Sequence, residues 1–192
     1  MYSRALPNEQ LLDSPDGLPA ETLCAARHGN SVAFAQLVRA YYPRCLRFAR
    51  HFLATREDAE ECVQDMFVRV HQALRRYEER ERFNSWLFRI LANRCRTARN
   101  RARRLLQLHR ANRHRITSTS AAPVDGFVLG DELSRVLSEL PRDQREAFLL
   151  RHLEGFTYEQ IADIAGIAVT AARMRVSRAS SRLRDAVTDL QA

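Results

Sequence analysis

From Glu21 onward, apolar residues recur at three- and four-residue intervals, the spacing of one face of a helix. Phe34, Leu37, Val38, Tyr41, Cys45, Phe48, Ala49 and Phe52 form a first stripe. Pro43 lies within it and predicts a kink near Tyr42. Ala59, Cys62, Val63, Met66, Phe67, Val70, Leu74 and Tyr77 form a second stripe, opened by Thr55 with Asp58 three residues on, an acidic variant of a capping start. A third run follows Asn84, a candidate N-cap, through Trp86, Leu87, Ile90, Leu91, Cys95, Ala98, Ala102 and Leu105. These stripes predict helices that pack as one bundle.

The pattern stops between Arg115 and Gly130, where Thr117 to Pro123 is small and polar. It resumes with Leu133, Val136, Leu137 and Leu140. Pro141 suits the first turn of the next helix, which carries Ala147, Phe148, Leu149 and Leu153 and ends at Gly155. No alternating strand pattern of useful length and no longer internal repeat occurs. The expectation is an all-α chain of two small helical domains joined by a flexible linker. Residues 1–19 form a leader, 20–112 the first domain, 113–130 the linker and 131–192 the second domain.

Composition narrows the function classes. With 192 residues the chain has room for one domain or two small ones. It has no apolar run long enough for a membrane span and no signal-peptide pattern, which places it in the cytoplasm. Cys24, Cys45, Cys62 and Cys95 form no CxxC pair, so we expect no metal and no cofactor, and Cys45, Cys62 and Cys95, each on an apolar stripe, are expected as small buried thiols. No GxxxxGK, GxSxG or HExxH motif appears, and no enzyme is expected. The net charge is +8, and all 31 basic residues are Arg. That sign and residue type point to nucleic acid, since Arg forks onto phosphates and stacks on bases.

Three constellations carry candidate chemistry. Thr157-Tyr158-Glu159-Gln160 is a capping box, followed by Ile161, Ala162, Ile164 and Ala165, a turn at Gly166, and a helix from about Val169 through Arg184. This is helix-turn-helix spacing, with Thr170, Arg173, Met174, Ser177 and Arg178 on the outer face. From Arg80 to Arg115 there are twelve Arg and one acid, Glu81. Tyr77, Phe83, Trp86 and Phe88 stand at the start of that stretch, a composition suited to single-stranded or melted DNA, although Trp86 falls on the apolar stripe and is expected in the core. Glu57, Asp58, Glu60, Glu61 and Asp65 cluster on the second helix. A metal-dependent nuclease would use such carboxylates, but their place in the first turns suits the helix dipole, and a protein-contact face fits better.

The stretch Asp58-Ala59-Glu60-Glu61-Cys62-Val63-Gln64-Asp65-Met66-Phe67-Val68-Arg69-Val70 resembles the polymerase-binding helix of bacterial sigma factors. Phe83-Asn84-Ser85-Trp86-Leu87-Phe88-Arg89-Ile90-Leu91-Ala92-Asn93-Arg94 resembles the promoter-melting helix of the extracytoplasmic-function (ECF) group of the sigma-70 family. Leu140 to Phe148 and Gly155 to Ala162 resemble that group's −35-binding domain. The likeness spans roughly Glu21 to Leu190 with one gap, and its three motifs stand in the family's order.

The resemblance implies a factor that binds core RNA polymerase and promoter DNA and is held in check by an anti-sigma factor. It implies polymerase contacts at Asp58, Glu61, Gln64, Asp65, Val68 and Arg69. It implies −10 contacts at Tyr77, Arg82, Phe83, Asn84, Arg89, Asn93, Arg96 and Arg99, with a flipped base held in the loop from Tyr77 to Asn84. For the −35 element it implies Thr157, Tyr158, Thr170, Ala171, Arg173, Met174, Arg175, Ser177, Arg178 and Arg182. Ala171-Ala172 and Met174 replace the family's commoner Thr-Val pair and small polar residue, which bears on −35 preference rather than fold. Ala168 replaces the usual Pro or Ser, a weaker N-cap by about 1 kcal/mol. The alternative is a helix-turn-helix regulator that binds its operator without polymerase.

Overall fold

The computed structural model describes residues 18–78, 83–112 and 131–191. Eight helices are present among them: α1 (Ala20–Arg27), α2 (Ser31–Arg50), α3 (Arg56–Leu74), α4 (Phe83–Asn112), α5 (Asp131–Glu139), α6 (Arg142–His152), α7 (Tyr158–Ala165) and α8 (Val169–Gln191). The all-α expectation holds. α1 lies along α2, and α2, α3 and α4 pack together as an N-terminal bundle. α6, α7 and α8 make the centre of a C-terminal bundle, with α5 against α8. Residues 1–17 of the leader, the linker, and residues 79–82 of the Tyr77–Asn84 loop, which include Arg82, lie outside the described residues.

Local chemistry sets the helix starts. The Asn30 side chain accepts from the backbone N–H groups of Val32 and Ala33, at 3.0 and 3.1 Å, and so caps α2. The Thr55 hydroxyl accepts from the Asp58 N–H at 3.0 Å and caps α3, as its spacing predicted. Pro43 stands inside α2, which runs unbroken from Ser31 to Arg50. A proline removes one intrahelical N–H, and the packed stripe around it carries the helix through. Asn84 does not cap α4. The helix includes Phe83, and the buried Asn84 side chain accepts instead from the Tyr41 hydroxyl at 2.5 Å. A buried amide must find a hydrogen-bond partner, and Tyr41 supplies it.

The N-terminal core is built from Leu37, Tyr41, Phe48, Met66, Leu74, Leu87 and Leu91, all nearly devoid of solvent. Each such side chain contributes about 1.5–3 kcal/mol of burial. Phe34, Val38, Ile90, Ala98 and Trp86 border it half-buried. The third stripe ends sooner than its period suggested. Ala102 and Leu105 are exposed because α4 outruns the helices it packs against. Cys45, Cys62 and Cys95 are buried free thiols, with the Cys62 and Cys95 sulfurs 3.7 Å apart across α3 and α4.

In the C-terminal bundle Val136, Leu137, Leu140, Ala147, Leu149 and Leu150 are buried. Pro141 is the residue before α6 rather than its first turn. α6 ends at His152 with Leu153 as its C-cap, and Gly155, with φ 74, follows two residues after that cap. The capping box before α7 is complete. The Gln160 N–H reaches the Thr157 hydroxyl at 3.3 Å, and the Gln160 side chain accepts from the Thr157 N–H at 2.8 Å. Gly166 takes φ 67 and ψ 44, the left-handed turn between α7 and α8 that a side chain would strain.

Candidate nucleic-acid and protein-binding surfaces

The turn at Gly166 sets α8 across α7 by burying Ile161, Ala162 and Ile164 against Ala172, Val176, Ala179 and Leu183. Ile167 and Val169 fill the edge of the wedge half-buried. The burial period then fixes what remains outside. Thr170, Arg173, Met174, Ser177, Arg178 and Arg182 are exposed on α8, and Ala171 is half-buried beside them. Met174 keeps half its surface in solvent. Tyr158 is half-buried and carries Arg151 and Arg173 over its ring, at 4.8 and 5.4 Å from the centroid. Arg173 also faces Glu159 at 3.8 Å. Backbone and Thr157 hydrogen bonds, together with these cations, hold the Glu159 carboxyl below its ordinary range. Arg175 is drawn back to Asp143 at 3.3 Å, off the outer face. Thr157 is occupied as a cap.

On α4 the residues Arg89, Asn93, Arg96 and Arg103 follow helical spacing along one face. Asn93 is exposed and accepts from Arg96 at 2.7 Å. Arg101, Arg103 and Arg104 are exposed. Tyr77, Phe83 and Asn84, expected to meet the −10 strand, are instead buried. Tyr77 and Phe83 pack edge-to-face at 5.6 Å, with Trp86 against both at 4.9 and 5.6 Å. Their apolar rings are buried against one another here, where burial of a large aromatic face is favourable. Arg82 lies outside the described residues.

On α3 the acids divide by environment. Asp58 and Glu61 are exposed, while Glu60 is held by Arg56 at 2.7 Å. Asp65 pairs with Arg94 of α4. Gln64 and Val68 line a groove of about 360 Å3 between α2 and α3, with Phe34, Val38, Tyr42 and Phe67. Val68 is more than half exposed, and Arg69 stands exposed beside it.

Sequence reasoning missed a fourth surface, the seam between the bundles. Glu154, its side chain fully buried, pairs with Arg44 of α2 and faces Arg47 at 3.7 Å. Arg44 also donates to the Glu154 carbonyl oxygen at 3.0 Å and lies 5.0 Å from the Phe88 ring centroid. Phe88 meets Phe156 edge-on at 5.2 Å. Arg96 forks onto Glu146 at 2.7 and 3.2 Å and donates to the Ile164 carbonyl at 3.1 Å. Arg145 donates to the His51 carbonyl at 3.0 Å. Burial, then the charges of Arg145, Arg47 and Arg50, pushes the His51 imidazole down to about 4. Arg44 was the available signal, a charge at a stripe position of α2 between Tyr41 and Phe48. Among the described residues no helix is long and apolar enough to cross a membrane. No group of three or more His, Cys, Asp or Glu among them is placed to hold a metal.

Comparison with known proteins supplies an independent finding. Residues 37–105 match the family model Sigma-70 region 2, and residues 130–183 match Sigma-70, region 4. The chain is 34% identical to RNA polymerase sigma factor CarQ of Myxococcus xanthus, over 86% of this chain and 95% of that protein. It is 30% identical to ECF RNA polymerase sigma factor SigM of Mycobacterium tuberculosis, over 85% and 82%. Its fold is similar to CnrH in complex with the cytosolic domain of CnrY, with TM-score 0.65 and 28% identity over 90% and 97% of the two chains. It is equally similar to the sigma factor RpoE in complex with the anti-sigma factor NepR from Bartonella quintana, with TM-score 0.65 and 29% identity over 81% and 96%.

Proposed function

The chain belongs to the sigma-70 family of RNA polymerase sigma factors, in its ECF group, and we propose on that basis how its surfaces divide the work of promoter recognition. An ECF sigma factor binds core RNA polymerase, recognises the −10 and −35 promoter elements and directs initiation. It performs no bond chemistry of its own. The observation that carries the assignment here is the order of the two matched regions, with a complete helix-turn-helix in the second.

The outer face of α8 reads the −35 element. Thr170, Arg173, Met174, Ser177, Arg178 and Arg182 are the exposed side chains, and Arg is the residue that forks onto guanine edges and phosphates. The α4 face meets the −10 element through Arg89, Asn93, Arg96 and Arg99, while Tyr77, Phe83 and Asn84 support it from within. Asp58, Glu61, Gln64, Asp65, Val68 and Arg69 dock on the polymerase, with Val68 entering an apolar contact and the acids ringing it. An anti-sigma factor is the fitting regulator, since both solved relatives above are held by a second protein.

Gel filtration of the purified chain with core bacterial RNA polymerase at moderate salt tests this reading. A stoichiometric complex is expected. Absence of a complex, with tight duplex binding by the free chain, would assign it to polymerase-independent regulators instead.

A further inference from the structure

Two buried thiols face each other inside the N-terminal bundle, and the promoter reading gives them nothing to do. The sulfurs of Cys62 on α3 and Cys95 on α4 lie 3.7 Å apart and share a hydrogen bond. The two residues are 33 positions apart in the chain, so the helices bring them together. A disulfide needs a sulfur separation of about 2.05 Å. The pair has to close by only about 1.7 Å, within reach of side-chain rotation and a small shift of one helix.

The two sulfurs are not equivalent. Cys62 keeps 5% of its surface in solvent and Cys95 keeps 1%, so a small oxidant meets Cys62 first. Asp65, one turn on from Cys62, pairs with Arg94, the neighbour of Cys95, and that brings a guanidinium to the rim of the pair. The hydrogen bond from Cys95, and then the Arg94 charge, holds the Cys62 thiol below its ordinary value, against burial and the Asp65 and Glu61 carboxylates. The same hydrogen bond, then burial, then the charges of Cys62 and Glu146, push the Cys95 thiol up. The thiolate is the nucleophile, so Cys62 attacks and Cys95 keeps its proton until the second step. Apolar packing needs neither a second thiol within hydrogen-bond reach nor a cation beside the first.

We propose that Cys62 and Cys95 are a peroxide-oxidised dithiol whose reversible disulfide staples α3 to α4. The Cys62 thiolate attacks one oxygen of hydrogen peroxide. The O–O bond breaks, the departing hydroxide takes a proton from solvent and leaves as water, and Cys62 becomes a sulfenic acid. The Cys95 sulfur then attacks the Cys62 sulfur. The S–O bond breaks, the S–S bond forms, and the hydroxide leaves with the Cys95 proton as a second water. The thiols lose two electrons and the peroxide gains them. A dithiol reductant reverses the bond by exchange through a mixed disulfide. Inside cells such bonds are transient and sensing rather than structural. The staple ties the helix of the acidic face to the helix of the arginine face, so one oxidation reaches both.

The test treats the full, folded, reduced chain with hydrogen peroxide, blocks the remaining thiols with maleimide, and reads a non-reducing digest by mass spectrometry. A cross-linked peptide joining Cys62 to Cys95 should be the main product, and dithiothreitol should abolish it. Variants made in a Cys24→Ser background lack the exposed thiol of α1. In that background Cys95→Ser should accumulate a sulfenic acid on Cys62 that dimedone traps. Cys62→Ser should consume peroxide at least about tenfold more slowly than the unchanged pair. Cys45 is the third buried thiol and lies near Cys95. A link from Cys95 to Cys45 instead, or a link that forms only in urea, would overturn the proposal. So would Cys62 driven to sulfinic acid with Cys95 left free, or recovery of both thiols unchanged. Co-elution of the reduced chain with core polymerase tests the promoter reading separately, because the thiol chemistry does not depend on it.

Discussion

Removing the Glu154 carboxylate is the most informative single perturbation of this chain. Its side chain is fully buried and that of Arg44 nearly so, and the two sit on different bundles. Glu154→Ala would leave the Arg44 guanidinium among Phe88 and Phe156 without its carboxylate, and breaking one partner of a buried pair costs about 3–5 kcal/mol. Replacing both by apolar groups, Arg44→Met with Glu154→Leu, removes the uncompensated charge and should be nearly neutral. Arg44→Met, Glu154→Leu and the double variant form a cycle, and with each single variant losing about 3–5 kcal/mol and the double near zero the coupling is about 6 kcal/mol or more while the bundles stay docked. The stranded charge has a second escape, because parting the bundles rewets Arg44. The apparent loss therefore saturates at the free energy of docking. Urea unfolding followed by fluorescence measures it, since Trp86 is the only tryptophan and packs against Tyr77 and Phe83 in the N-terminal bundle. Additive single-variant costs, with coupling below about 0.5 kcal/mol, would refute the reasoning and mean that the bundles do not dock in solution.

Other outcomes follow from the same surfaces. Arg173→Ala with Arg178→Ala should weaken binding to −35 duplex and lower the slope of log affinity against log salt by about two, measured by anisotropy titrations; an unchanged slope would take both side chains off the phosphates. Asn93→Ala should slow promoter opening, read by permanganate footprinting, while polymerase affinity stays within about twofold; equal loss of both would contradict its placement on the −10 face. His51 is held neutral by burial, with a value of about 4 against 6.5 when exposed. Because the unfolded chain takes up that proton first, the stability from His51 is complete above pH 6.5 and is lost as pH falls toward 4. The loss is about 3 kcal/mol, and His51→Gln should flatten that part of the urea-midpoint profile.

The parts legible in the sequence were those set by near neighbours. Thr157 with Gln160 three residues on, then Gly166, specified the α7–α8 turn because a capping box and a left-handed glycine are local chemistry. The α3 stripe was legible because every fourth or third residue was buried by helices close in sequence. Asn84 was misread because an amide before an apolar run looks like a cap until Tyr41 is known to lie beside it. Leu105 was misread because periodicity does not say where the partner helices end. The seam was least legible: Arg44 and Glu154 are 110 residues apart, and Arg96 and Glu146 are 50 apart. The candidate site split along the same line. The exposed α8 residues followed from burial period alone, whereas Tyr77 and Phe83 turned inward to each other and to Trp86.

The 50-residue separation of Arg96 from Glu146 has a consequence for synthesis. Contacts within the N-terminal bundle are short in range and form quickly once α4 has left the ribosome. At about 5–20 residues per second, the chain carrying Glu146 emerges roughly 3–10 s later. Throughout that interval the nascent factor shows a folded, arginine-rich α4 with nothing yet made to cover it. Ribosomal RNA and messenger are the polyanions closest at hand. Each newly made molecule thus passes through a brief period of promiscuous stickiness, which ends only when its own second half arrives.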